Sequence, residues 1–220
     1  MEIISENREK LMASQGFRQY LESLDEKLKI LEISEEWSWF SIKGELIFAI
    51  FYVRYDDAGK ERKEIFFYRS DSVAVFLVVR NWKTSEKFAV IVEQTRIPAG
   101  GKILEIPAGS CEDNEALVRT MIREIQEEVG LEAEPEDLTL LGSYYFSPGA
   151  CCEKITLYSC ELELKPEEIA TLRGRIAGLK HHGEETKVKL VELVYFDGLE
   201  IRDAKTALAY QLYLKEYGDR

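Results

Sequence analysis

The chain has 220 residues, 45% hydrophobic and 11% aromatic, enough for one large domain or a smaller domain with an appendage around a real core. A net charge of −12 excludes a protein built as a whole to attract nucleic acid or anionic lipid. An anionic substrate would need local help, from a metal or from arginines.

Taken in chain order, residues 5–24 read as a polar, amphipathic helix. KLKILEI (27–33), ELIFAIFYVRY (45–55) and KERKEIFFYR (60–69) read as strands, with Asp57-Ala58-Gly59 turning between the last two. SVAVFLVV (72–79) and FAVIVEQ (88–94) read as the buried strands of a second hairpin. A helix follows inside PAGSCEDNEALVRTMIREIQEEVGL (107–131), then strands near 138–146 and 154–163. PEEIATLRGRIA (166–177) reads as helix, with its proline where a first turn tolerates one. KVKLVELVYF (187–196) reads as strand and 202–217 as a final helix. There is no internal repeat, low-complexity tract or linker. The pattern predicts an α/β fold: residues 1–70 as an N-terminal helix and β-rich module, and 71–220 as the main domain.

The four cysteines, Cys111, Cys151, Cys152 and Cys160, lack CxxC spacing, which argues against zinc. The adjacent Cys151 and Cys152 read as reduced thiols, with one disulfide left open. The opening MEIISENREKLM matches neither a secretory nor a transit pattern, and no apolar run spans a bilayer. A cytoplasmic protein with no membrane partner is expected.

The chemistry concentrates in 107–131. Val118, Met121, Ile122, Ile125 and Val129 recur at helical spacing and predict a buried face, with Asp113 or Asn114 as N-cap and Gly130 as the stop. Glu124, Glu127 and Glu128 then crowd one face near the C-terminus, where like charges repel and the helix dipole is already negative. A solvated acidic face tolerates that cost of tenths to about 1 kcal/mol. A hard divalent cation instead turns the repulsion into a site, since Mg²⁺ takes carboxylate, phosphate and water oxygens.

Spacing separates the two readings. Gly109, five residues, Glu115, seven residues, then Arg123-Glu124-Ile125-Gln126-Glu127-Glu128-Val129-Gly130-Leu131 resembles the Nudix box at every defined position. Outside the box, EQTRIPAGGKILEIPAG (93–109), YYFSPGACCEKITLY (144–158), GLKHHGEETKVKL (178–190), EIRDAKTALAYQLY (200–213) and FRQYLESLD (17–25) resemble segments of the ADP-sugar pyrophosphatases. The third and the last are most similar to the plant-like branch that hydrolyses ADP-glucose.

The resemblance implies a Nudix α/β/α sandwich with a mixed sheet. It implies Mg²⁺-dependent hydrolysis, with Mn²⁺ an alternative, of a nucleoside diphosphate sugar to AMP and a sugar phosphate. On that pattern Glu124, Glu128 and the Ala108 carbonyl hold metal, with Glu127 a weaker ligand, and Gly109 lets the backbone approach. Glu115, Arg123 and Gly130 are structural, Arg123 bracing Glu127 four residues on. Arg96 grips phosphate, and Glu105 touches metal or substrate or is a buried, paired carboxylate. The water-activating residue is Glu184, with Glu185 or Glu153 as rivals, and His182, beside His181, positions the loop or contacts substrate. The N-terminal module implies a homodimer and part of an adenine pocket. The competing readings are GDP-mannose, a dinucleoside polyphosphate or a nucleoside triphosphate as substrate, a Nudix-fold nucleotide-binding protein without catalysis, and a scaffold with a solvated acidic helix.

Overall fold

The computed structural model describes residues 2–25, 28–177 and 186–218. They divide into two compact units, one of residues up to Asp71 with Cys111–Glu115 and Tyr145–Lys154, the other of Ser72–Ser110, Ala116–Tyr144 and the chain from Ile155.

The first unit holds β1 (Glu2–Ile4), α1 (Arg8–Ala13), α2 (Gln15–Asp25), β2 (Lys29–Phe40), β3 (Leu46–Asp57) and β4 (Lys60–Arg69). Its four strands lie in sequence order, β1 parallel to β2 and the rest antiparallel. Alternation along β3 sends Ala49, Phe51 and Val53 to a core shared with Phe17 and Leu21 of α2 and with Ile33 and Tyr68. The Phe17 and Phe51 rings stack at 5.0 Å.

The single helix expected over 5–24 is two helices, broken at Ser14, whose backbone is extended. Two side chains favour the break. Ser14 Oγ accepts from Phe17 N–H at 3.3 Å, and the Asp113 carboxylate accepts from Gln15 N–H at 2.8 Å and Gly16 N–H at 3.0 Å. Asp113 thus caps α2, and not the helix of its own segment.

The second unit holds β5 (Ser72–Asn81), β6 (Lys87–Arg96), β7 (Gly101–Glu105), β8 (Ala108–Ser110), α3 (Leu117–Glu124), β9 (Leu138–Tyr145), β10 (Lys154–Leu164), α4 (Pro166–Leu172), β11 (Ile176–Ala177), β12 (Thr186–Glu192) and α5 (Ala204–Tyr217). Its sheet runs β11-β12-β6-β5-β10-β9, with β7 paired to β6 and β8 to β5. The sheet is mixed, because β5 is parallel to β10 and antiparallel to β6. Continuous burial of β5 from Ser72 to Val79 marks it as a strand covered on both faces. On one face Phe76 meets Phe196, Tyr210 and Tyr213. Val75 and Leu77 alternate to the other, and α3 also packs on β5.

Two sequence expectations are shortened here. The helix over 166–177 ends at Leu172, just before Gly174 at φ +74. The strand expected to reach 196 gives way after Glu192 to a 3₁₀ segment over Leu193–Gly198.

Candidate active site

The site is built on three pieces of the second unit: the β7–β8 connection, α3 with its C-terminal extension, and the start of α5. Strand β8 is pinned to β5, Ala108 opposite Ala74 and Gly109 opposite Val73, and Val75 N–H donates to Pro107 O at 3.0 Å. The main chain of 107–110 is thereby held as a rigid edge.

Helix α3 begins at Leu117 with Ala116 as its N-cap and no side-chain cap. Neither Asp113 nor Asn114 caps it, and Asn114 instead takes φ +67. Glu115 stands before the helix rather than in its first turn, its carboxylate accepting from Glu112 N–H at 3.5 Å. Met121, Ile125 and Val129 are fully buried, while Val118 and Ile122 are half-buried.

The C-terminal turn departs from the α-helix. Residues Ile125–Val129 form a π-helical turn, closed by Gly130 N–H donating to Ile125 O at 3.0 Å. π-turns recur at functional sites because they re-aim side chains without ending the helix. Gly130 ends the element at φ +78, and a Cβ there would overlap the Arg175 guanidinium. That places a cation on the negative end of the helix.

The burial of the glutamates decides between a solvated acidic face and a site. Glu124 and Glu128 are each only 8% exposed, whereas Glu127 is half-buried. Glu128 accepts from Ala108 N–H at 2.9 Å. Arg123 lies 2.6 Å from Glu124 and 3.2 Å from Glu127, and also donates to Ser110 O at 3.2 Å. It ties the helix to β8. Gly109 sits so close that a Cβ would overlap the Glu124 carboxyl. Two buried carboxylates against bare main chain form an oxygen-only donor set, which suits a hard divalent cation. Among the described residues no three His, Cys, Asp or Glu side chains close into a preformed cage. Mg²⁺ sites are of this open kind, one or two carboxylates completed by substrate oxygens and water.

Three residues before Ala108, Glu105 anchors an ion network that crosses the strands. Glu105 is 2% exposed. It accepts from Arg96 Nε at 2.6 Å and Nη2 at 3.0 Å, and from the Lys205 ammonium. Burial pushes the Glu105 carboxyl up, but the Arg96 and Lys205 contacts outweigh it and hold the group below the ordinary glutamate range. Lys205 also lies 3.0 Å from Asp203, which caps α5 through Thr206 N–H at 3.0 Å. Thr206 Oγ1 in turn accepts from Ile106 N–H at 2.9 Å, fixing the residue after Glu105.

Lys205, Asp203 and Thr206 were not singled out from the sequence. Their signal was present: Lys205, Ala209 and Tyr213 fall on one stripe of α5, and a lysine on a buried stripe requires an anion.

Glu153 belongs to the first unit, 3.7 Å from Arg69. His181, His182, Glu184 and Glu185 lie outside the described residues; the strands flanking them pair Ala177 with Thr186. None of the four cysteines is joined in a disulfide. Burial pushes the Cys152 and Cys160 thiols up to about 12, so neither is a thiolate near neutral pH.

The second unit combines a mixed sheet, helices and the segment that carries Gly109, Glu124 and Glu128, and residues 70–202 match the NUDIX domain model. The chain belongs to the Nudix family. Its curated relatives include an ADP-ribose pyrophosphatase. It is 33% identical over 165 residues to the ADP-ribose pyrophosphatase of Bacillus subtilis (strain 168), covering 72% of this chain and 80% of that one. It is 32% identical over 167 residues to Nudix hydrolase 14, chloroplastic, of Arabidopsis thaliana, covering 71% of this chain but only 53% of the plant protein, about half its length. It is 34% identical over 189 residues to the methanol dehydrogenase activator of Bacillus methanolicus, covering 80% and 93%. A solved ADP compounds hydrolase superposes with a TM-score of 0.59 at 17% identity, over 88% of this chain and 97% of that one, a likeness of fold.

Proposed function

We propose that the protein hydrolyses the pyrophosphate bond of a nucleoside diphosphate sugar, ADP-ribose or ADP-glucose, to AMP and a sugar phosphate, using Mg²⁺ with Mn²⁺ as a substitute. The observation that carries this is the burial of Glu124 and Glu128 against the bare main chain of Ala108 and Gly109. Two buried carboxylates at one helix end offer hard oxygen donors of the kind a divalent cation takes together with substrate and water oxygens.

Glu124, Glu128 and the Ala108 carbonyl would hold the metal, with Glu127 contributing from the side. When bound, the ion draws charge from phosphate oxygens and lowers the pKa of a water. Arg96 offers its half-exposed guanidinium to a phosphate, steadied by Glu105. Glu184 accepts the water's proton as the water oxygen bonds to phosphorus and the bridging P–O bond breaks, the leaving phosphate taking the electron pair. Glu185 and Glu153 are the rival bases, and His182 contacts substrate or orders its segment. A cytoplasmic location and a homodimer built through the first unit belong to the same proposal; they are supported by four cysteines outside any disulfide and by Trp37 and Trp39, exposed on β2.

A substrate panel tests the reading. With Mg²⁺, the protein should release AMP from ADP-ribose or ADP-glucose and leave GDP-mannose and a nucleoside triphosphate intact. Cleavage of only the latter pair would keep the metal site and overturn the substrate. Purified protein that binds nucleotides without turnover would favour the non-catalytic reading.

A further inference from the structure

We propose that Lys205 is a positioning residue for the phosphate-binding arginine: its ammonium holds Glu105 ionised in place, and Glu105 in turn aims Arg96. This rests on the reading of Arg96 as a phosphate ligand.

The geometry has a direction. Glu105 is almost wholly buried, and Lys205 is 9% exposed. The Arg96 side chain, by contrast, keeps 42% of its exposure. The buried pair is therefore the fixed end and the guanidinium the end presented to solvent. Glu105 engages Arg96 through Nε and Nη2 together, a two-point contact that sets the plane of the guanidinium and not only its distance.

Charge explains why a lysine is needed. Glu105 with Arg96 alone would place a buried carboxylate beside a cation that is drawn toward water and toward any anionic ligand. A second cation that cannot leave keeps Glu105 charged when Arg96 is shared with a phosphate. Lys205 meets that condition, because α5 anchors it. Asp203, two residues earlier, caps the helix and contacts the same ammonium, and Thr206 receives Ile106 N–H. The helix start and the strand end are thus bonded at two successive residues, Lys205 to Glu105 and Thr206 to Ile106. A lysine serving only to fill the core would need no partner that reaches the surface.

The test is a double-mutant cycle with a ligand-binding readout. Binding of inorganic pyrophosphate in Mg²⁺ is measured by calorimetry for wild type, Lys205→Met, Arg96→Lys and the double variant. Turnover of ADP-ribose is measured beside it, as KM and kcat. Lys205→Met should weaken pyrophosphate about tenfold or more and raise KM by a similar factor, with kcat changed far less, the effect expected when a supporting partner is removed. Lys205→Arg should restore most of the affinity. The double variant should bind no worse than Arg96→Lys alone, because both act through one guanidinium. Losses that multiply would overturn the proposal, as would unchanged affinity in Lys205→Met. Should Lys205→Met not fold, Glu105→Gln/Lys205→Met removes both buried charges, and the same weakening is expected of it. Wild type that binds pyrophosphate with this pattern but does not cleave ADP-ribose overturns the substrate assignment alone. Cleavage of ADP-ribose without the pattern overturns the role of Lys205 alone.

Discussion

Gly109 and Glu124 show how little freedom the site leaves. A methyl group on Gly109 has to displace the Glu124 carboxyl, and the strand that carries Gly109 is pinned to β5. Gly109→Ala should therefore retain the fold, by circular dichroism, yet lose about 10²–10³ in kcat, the scale for removing one preorganised electrostatic contact. Activity within a few-fold of wild type would mean that Glu124 is not held for metal. Glu105 makes a second prediction. Its folded pKa is depressed, so its ionised form stabilises the protein above the unfolded value near 4.5, and that contribution is lost as pH falls through the lower folded value. The unfolding free energy of wild type relative to Glu105→Gln should be flat near neutral pH and shrink only below 4.5. A gap that widens on acidification would show that Glu105 is not the ionised anchor.

Among the elements, the box helix was the most legible in sequence and also the most instructive where it differed. Its apolar spacing placed Met121, Ile125 and Val129 in the core, and Gly130 marked its end. The π-turn was not legible, because its hydrogen bond from Gly130 to Ile125 leaves the apolar spacing intact. Nor was the true target of Asp113. Beside a helix its side chain reads as that helix's cap, but it reaches Gln15 and Gly16, nearly a hundred residues earlier in the chain. Local pattern carries no record of such a partner. Asp113→Ala should cost about 1 kcal/mol, the usual worth of an N-cap, as a shift in urea midpoint with activity kept. No shift would mean that α2 does not depend on this cap. Lys205 was hidden for the same reason. DAKT was visible as a resemblance, but the pairing with Glu105 exists only once β7 and α5 are brought together.

For the whole molecule, continuous apolar runs gave away β5 and β6, the strands that hold the site, while 178–185 lies outside the described residues. The proposed homodimer is a property of the first unit, where Trp37, Trp39 and Ile65 remain exposed on the sheet. Sedimentation should show twice the chain mass for wild type and a single chain for Trp39→Asp; a monomeric wild type would remove the dimer from the account. We propose that two buried box glutamates make this chain a metal-dependent ADP-sugar pyrophosphatase. The measurement that bears on it most directly is AMP release from ADP-ribose and ADP-glucose across a Mg²⁺ titration, for wild type and Glu128→Gln. Wild type should give AMP and a sugar phosphate only when Mg²⁺ is present, with a loss of about 10²–10³ in Glu128→Gln. Equal rates in the two proteins, or wild-type turnover that chelation leaves unchanged, would contradict it.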